Sequence, residues 1–286
     1  MHDSVRETVD RHRAGVSLGL AAALALWGGS HAREAQAAAP PVALLASSLT
    51  TQGGYGTIKG RLVWGGEQAP APTILVAKGQ ASKDPSVCAS TESIPSHALE
   101  VDGASKGIRY GFAYLVRPSG SNPGVVEELV KSAPIVEIDQ RNCDFLPHSV
   151  AVHQDQTLRF KSSDPVNHNV HLTPFVNPPF NLILAANGEV ERKLLAERRP
   201  IPLVCDIHPW MKGWIMVFDH PFFAVTEKDG SFEIKGAPPG AQKLVVWQES
   251  VGYVTVGLAA GMPVTVEPSK TTDVGEIKLD PSKVRN

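Results

Sequence analysis

Short runs that are apolar or alternate between apolar and polar positions, many of them closed by Gly, Pro, Asn or Ser, recur along most of the chain. A period of two is the mark of a half-buried β-strand. A first series covers residues 57–64, 73–77 and 108–116, the last stopped by Pro118 and a Gly/Ser/Asn/Pro run. A second begins at Pro134, with 135–139, 149–152, 157–160, 170–172, 180–185, 191–195, 201–204 and 213–218. In it, Ser162-Ser163-Asp164-Pro165 and Asn187-Gly188 are turns. A third covers 225–226, 231–234, 243–247, 254–256, 264–266 and 275–279. There Glu227-Lys228-Asp229-Gly230 reads as the turn of a hairpin, and only residues 125–131 suggest one or two turns of helix.

Composition agrees with an all-β chain. The 286 residues are 42% hydrophobic and 20% charged, as in ordinary globular proteins, and 25 glycines with 23 prolines favour sandwiches with many turns over helical bundles. A formal charge of −2 gives no reason to expect nucleic acid or an acidic membrane surface as a partner. At the N-terminus, Arg6, Arg11 and Arg13 precede an apolar run over 14–29, and small residues surround Ala35-Gln36-Ala37. That is the layout of an export signal over 1–37, followed by a linker over 38–56. The alternative is an uncleaved anchor, but the run is shorter than the ~20 residues of a spanning helix. No later segment is apolar enough to span, so the mature chain is expected in the periplasm or outside the cell.

Export makes the three cysteines informative, because an oxidising compartment pairs thiols or uses them on metal. The simplest account bonds Cys88 to Cys143, which on the chain-entropy model stabilises by roughly 4 kcal/mol, and leaves Cys205 as a metal thiolate. Three unrelated buried thiols are the alternative. Cys205-Asp206-Ile207-His208-Pro209-Trp210-Met211 places a thiol, an imidazole and a thioether at three-residue intervals, and His168 offers a second imidazole upstream. Two imidazoles, a thiolate and a long axial thioether suit a copper ion that changes oxidation state with little rearrangement. Structural zinc prefers sites without Met. The Cys-x-x-Cys-His of haem attachment is missing, and a catalytic Cys/His dyad seldom sits in one loop. His171, three residues from His168, falls on the other strand face. His97, His148, His153 and His220 read as loop or strand-end residues.

Cys205-x-x-His208-x-x-Met211 with upstream His168-Asn169-Val170, followed by Lys212-Gly213 and an apolar strand, resembles the cupredoxin family, and the short ligand loop is most similar to amicyanin. The resemblance covers roughly residues 134–219. It implies one type 1 copper site with His168, Cys205 and His208 equatorial and Met211 axial. It also implies that Asn169 ties the two ligand segments together by hydrogen bonds. Gln154-Asp155-Gln156 departs from the glycine expected in that turn, and Trp210 is unusual in the loop. The function expected is single-electron transfer by an exported protein that is not an enzyme. A redox partner docks near His208 and Trp210 in this reading, the His208 edge being the exit. Copper delivery without electron transfer, or a metal-free interaction module, are the alternatives.

The flanking segments resemble a carboxypeptidase regulatory-like (transthyretin-like) sandwich, a non-catalytic module. The residues that carry this are Gly60-Arg61-Leu62-Val63, Phe112-Ala113-Tyr114-Leu115, and 225–234 with Pro239-Gly240. The expectation is a discontinuous sandwich over 57–130 and 220–281 with the cupredoxin, 131–219, inserted into it. Three domains in a row are the alternative. Each outer piece alone is small for a stable core.

Overall fold

The computed structural model describes residues 54–285. The expected export signal over 1–37 and most of the expected linker lie outside them. Among the described residues no helix is long and apolar enough to cross a membrane.

The fold is all-β: four of its sheets form two sandwiches, and the small sheet Ile74–Val76/Ile94–Pro95 packs on the core of the central one. In the central one, a five-stranded sheet runs in the order Phe180–Leu184, His168–Leu172, Ile201–Val204, Lys212–Phe218, Ser149–His153. It faces a four-stranded sheet, Glu189–Arg192, Thr157–Ser162, Ile135–Gln140, Phe145–Leu146. Alternation selects what lies between them: Ile138, Val150, Leu158, Phe160, Val170, Leu172, Leu203 and Val217 form one buried cluster. In the outer sandwich, Ser231–Ala237, Gly56–Trp64 and Thr271–Leu279 make one sheet. Phe223–Val225, Phe112–Leu115, Gly240–Gln248 and Gly252–Tyr253 make the other, with Met262–Val266 also paired to Gly240–Gln248. Strands from before and after the central sandwich therefore share both outer sheets and one core.

Three strands bury both faces, and this joins the sandwiches. Ala113, Leu115, Leu244 and Val246 point into the outer core. Their neighbours Phe112, Tyr114, Val245 and Trp247 point the other way, onto Met216 and Phe218 of Lys212–Phe218. Ile215 and Val217 of that strand belong to the central core. The seam is aromatic, with Tyr114 and Phe218 ring centroids 5.2 Å apart and Trp214 edge-on to Trp247 at 4.9 Å.

Several local expectations give way to tertiary demands. The strand expected over 108–116 starts at Phe112, because Tyr110 has a left-handed φ of 66° and turns the chain away from the sheet direction. The expected hairpin about 227–230 is a turn between sheets: Phe223–Val225 pairs with Phe112–Leu115, whereas Ser231–Ala237 pairs with Gly56–Trp64. Residues 254–256 are not a strand. Val254 makes one bond to Val246, then Val256 stands 84% exposed before the short 3₁₀ turn Leu258–Ala260. The helix Pro123–Ser132 is longer than expected, started by the Asn122 side chain accepting from the Val125 N–H. The turn after Ser149–His153 needs no glycine, since Gln156 accepts the His153 N–H with its side chain and donates to the Ala133 carbonyl.

Candidate metal centre

The centre lies at one end of the central sandwich, where the strand His168–Leu172 begins and the loop between Ile201–Val204 and Lys212–Phe218 turns over. Backbone bonds close that loop: the Met211 N–H donates to the His208 carbonyl at 2.9 Å, and the Cys205 N–H to the Met211 carbonyl at 3.3 Å. A loop so tightened brings Cys205 Sγ and His208 Nδ1 together, with Met211 buried at its end. All three are buried, as is His168.

His168 and His208 meet Nδ1 to Nδ1 at 3.0 Å, and Cys205 Sγ lies 3.7 Å from His208 Nδ1. One donor atom from each of His168, Cys205 and His208 lies within 4.8 Å of the others. Donors of a single metal ion bound at about 2.0–2.3 Å must sit roughly 3–4 Å apart, so these separations fit one ion. The set is also chemically apt, two imidazoles and a thiolate being a soft combination that favours copper, with the Met211 thioether buried in the same core.

Orientation of the two rings comes from carboxylates. His168 Nε2 meets Asp164 Oδ2 at 2.9 Å, and His208 Nε2 meets Asp84 Oδ2 at 2.9 Å. A carboxylate accepts, so each Nε2 carries a proton and each Nδ1 is the nitrogen that faces the other ring and Cys205. While His168 is protonated its Nδ1 donates to His208 Nδ1, and losing that proton frees it as a donor atom for metal. Asp164 is itself fixed by the backbone N–H groups of Asn142 and Cys143, both at 2.8 Å. These two residues have left-handed φ values of 54° and 56°, which aims successive N–H groups at one anion.

The charges follow. Burial acts to raise the Asp164 carboxyl, but the hydrogen bonds from His168 and the two backbone N–H groups outweigh it and hold it below its usual range. Burial acts against a charged His168, yet Asp164 and Cys205 beside it push its pKa up to about 9. Burial likewise opposes a Cys205 thiolate, and His168, His208 and nearby N–H groups bring that thiol down to about 6. Without metal, the centre at neutral pH is a thiolate beside an imidazolium.

Asn169 lies between the ligand segments. Its Oδ1 accepts the Asp206 N–H at 2.6 Å and the Ile207 N–H at 3.3 Å, and its Nδ2 donates to Asn181 and Asp206. His171 points the other way, half-exposed, with Nδ1 3.0 Å from Asp206 Oδ1. Cys88 and Cys143 are disulfide-bonded, Cα atoms 5.2 Å apart, leaving Cys205 as the free thiol. Their sulfurs border the imidazoles, Cys88 and Cys143 near His208, and Cys143 near Asp164 and His168.

One expectation fails on exposure. The His208 edge is not at the surface: the ring is 0% exposed, with Asp84 over Nε2. Trp210 is half-buried, donating from Nε1 to the Cys143 carbonyl at 3.1 Å with its ring centroid 5.4 Å from that of His208. Sequence reasoning missed both carboxylates. Asp164, four residues before His168, was legible only as a turn residue. Asp84, 124 residues from His208, left no local signal.

No family model matches the chain, and no curated protein matches it by sequence. Solved structures do align with part of it. Amicyanin from Paracoccus versutus is 18% identical over 30% of this chain and 83% of its own, with a TM-score of 0.27. A purple cupredoxin from Nitrosopumilus maritimus is 19% identical over 29% of this chain and 99% of its own, TM-score 0.25. A Cu-containing nitrite reductase from Thermus scotoductus is 21% identical over 29% of this chain, TM-score 0.27, and the chain spans only 22% of its length. At such scores these likenesses carry no weight of their own, and the donor set stands on its side chains.

Proposed function

We propose that His168, Cys205, His208 and Met211 hold one copper ion and that the protein is an exported single-electron carrier rather than an enzyme. The observation that carries this reading is the convergence of two imidazole Nδ1 atoms and one thiol Sγ within 4.8 Å in a buried pocket. When bound there, copper supplies a one-electron couple. The residues do the rest. Cys205 is poised as the anionic donor at neutral pH. Asp164 and Asp84 keep both imidazoles facing inward. Asn169 ties the ligand loop to the strand that bears His168. Donors fixed by such bonds rearrange little when charge changes, which suits electron transfer.

Burial also weighs against copper delivery, which needs incoming ligands to reach the metal. A redox partner would dock over the covering groups, Asp84, Pro209 and Trp210, rather than on bare imidazole. Strand pairing across both outer sheets supports reading 131–219 as a unit inserted into the outer sandwich. The test of function is electrochemical: the copper-loaded protein should cycle reversibly with a small redox partner, and a tightly bound copper that cannot be reduced and reoxidised contradicts the carrier reading.

A further inference from the structure

We propose that Asp84 is a positioning residue for the centre, reaching in from outside the central sandwich to set the tautomer and orientation of His208 and to cover it. The inference rests on the copper reading for its consequence but on the polypeptide alone for its geometry.

His208 has a fully covered ring whose Nδ1 faces His168 and Cys205, and among the described residues Nε2 finds its partner in Asp84 Oδ2 at 2.9 Å. The two neutral tautomers of histidine differ little in energy, so an acceptor at Nε2 is what holds the proton there and the Nδ1 lone pair inward. Asp84 is that acceptor. It does not belong to either sheet of the central sandwich but to the loop between Ile74–Val76 and Ile94–Pro95.

Three features fix it there. Its backbone takes a left-handed φ of 45°, a turn conformation that aspartate tolerates and that sets the direction of its side chain. Its carbonyl accepts the N–H groups of Val87 and Cys88, at 2.9 and 2.8 Å, closing a turn that ends at the half-cystine. Cys88 is bonded to Cys143, whose own N–H donates to Asp164, the carboxylate on His168. One covalent link therefore references both carboxylates, and through them both imidazoles, to a common frame. A purely structural disulfide has no need to lie between the two groups that orient a ligand pair.

The test uses the full mature protein with the variants Asp84→Ala and Asp84→Asn, and Lys83→Ala as a neighbour on the same exposed turn. The first readout is ring ¹⁵N NMR of His208 in metal-free protein, which needs no copper. Wild type is expected to show the Nε2–H tautomer, Asp84→Ala to lose it, Asp84→Asn to keep it through the amide oxygen, and Lys83→Ala to match wild type. The second is copper affinity by chelator competition, expected to fall roughly 10–100-fold in Asp84→Ala and less in Asp84→Asn. An Asp84→Ala protein that keeps the Nε2–H tautomer overturns the inference, whether or not the wild type binds copper. Unchanged affinity beside a changed tautomer removes its consequence for the metal. If Asp84→Ala does not fold, Asp84→Gly decides, since glycine suits the left-handed φ of 45° and has no side-chain acceptor: retention of the Nε2–H tautomer in that variant overturns the inference. Failure of the wild type itself to bind copper is a different result and counts against the proposed function alone.

Discussion

Among the described residues, two pairs of neighbouring imidazoles differ in what their nitrogens face. At the metal centre, His168 and His208 each give one nitrogen to a carboxylate and turn the other toward Cys205. At the seam between the sandwiches, His97 and His148 have ring centroids 5.7 Å apart, but His97 gives both nitrogens to carboxylates, Nδ1 to Glu100 at 2.9 Å and Nε2 to Asp144 at 3.1 Å. His148 Nε2 is taken by Glu249. The hydrogen bonds it donates to Asp144 and Glu100 raise the His97 pKa to about 9, a value His168 shares, so the sites differ in what the second nitrogen faces rather than in charge. Proximity of histidines and carboxylates is thus common to both sites. What makes one of them a candidate for metal is a free nitrogen on each ring and a thiol between them.

The largest effect expected from this contrast is on copper affinity. His168→Ala should lower it by more than about 100-fold, since an inner donor outweighs an outer partner worth roughly 10–100-fold, while His97→Ala should leave it within about twofold. Competition with a chelator of known affinity measures both. A loss of equal size at His97 would break the distinction.

The seam should show itself in stability. The folded pKa of His97 lies above its unfolded value of 6.5, so its contribution is fully present below that pH and is lost as pH rises through about 9. Because its side chain is 17% exposed and tightly coupled to two carboxylates, the loss is on the order of 1–3 kcal/mol. Urea titrations of metal-free protein between pH 6 and 10 should show this decline, and His97→Gln should flatten it. A slope unchanged in the variant assigns the pH dependence elsewhere.

The smallest expected effect is proton release. With Cys205 already ionised above about 6 and His168 still protonated below about 9, copper entering at pH 7.5 should displace close to one proton, from His168. Affinity should therefore rise by up to about tenfold per pH unit until about pH 9, and weaken more steeply below about pH 6, where Cys205 must also lose its proton. Calorimetry in two buffers of different ionisation enthalpy reads the number directly. No proton release at pH 7.5 contradicts the imidazolium.

The meeting of Cys205 and His208 was legible in the sequence because it is local: they are spaced along one connection between two readable strands. His168 was legible for the same reason, standing at the start of a strand with the right residue type. The disulfide followed from an odd cysteine count read together with the expected export signal. Asp84 was not legible, since a carboxylate in a loop 124 residues from its imidazole shows no periodicity and no spacing. The covered state of His208 was hidden with it, because exposure depends on what packs over the loop. In the outer sandwich, Glu227–Gly230 announced a turn correctly, but local turn chemistry does not say that Phe223–Val225 and Ser231–Ala237 join different sheets. Strands with both faces buried, such as Phe112–Leu115, also lose the alternation that would report their neighbours.

The central claim is most directly tested by adding Cu(II) to the purified protein and following visible absorption. One tightly bound equivalent with intense blue, thiolate-dependent absorption is expected, absent in Cys205→Ser although that variant folds. A colourless wild-type protein that retains no copper after buffer exchange would contradict the claim.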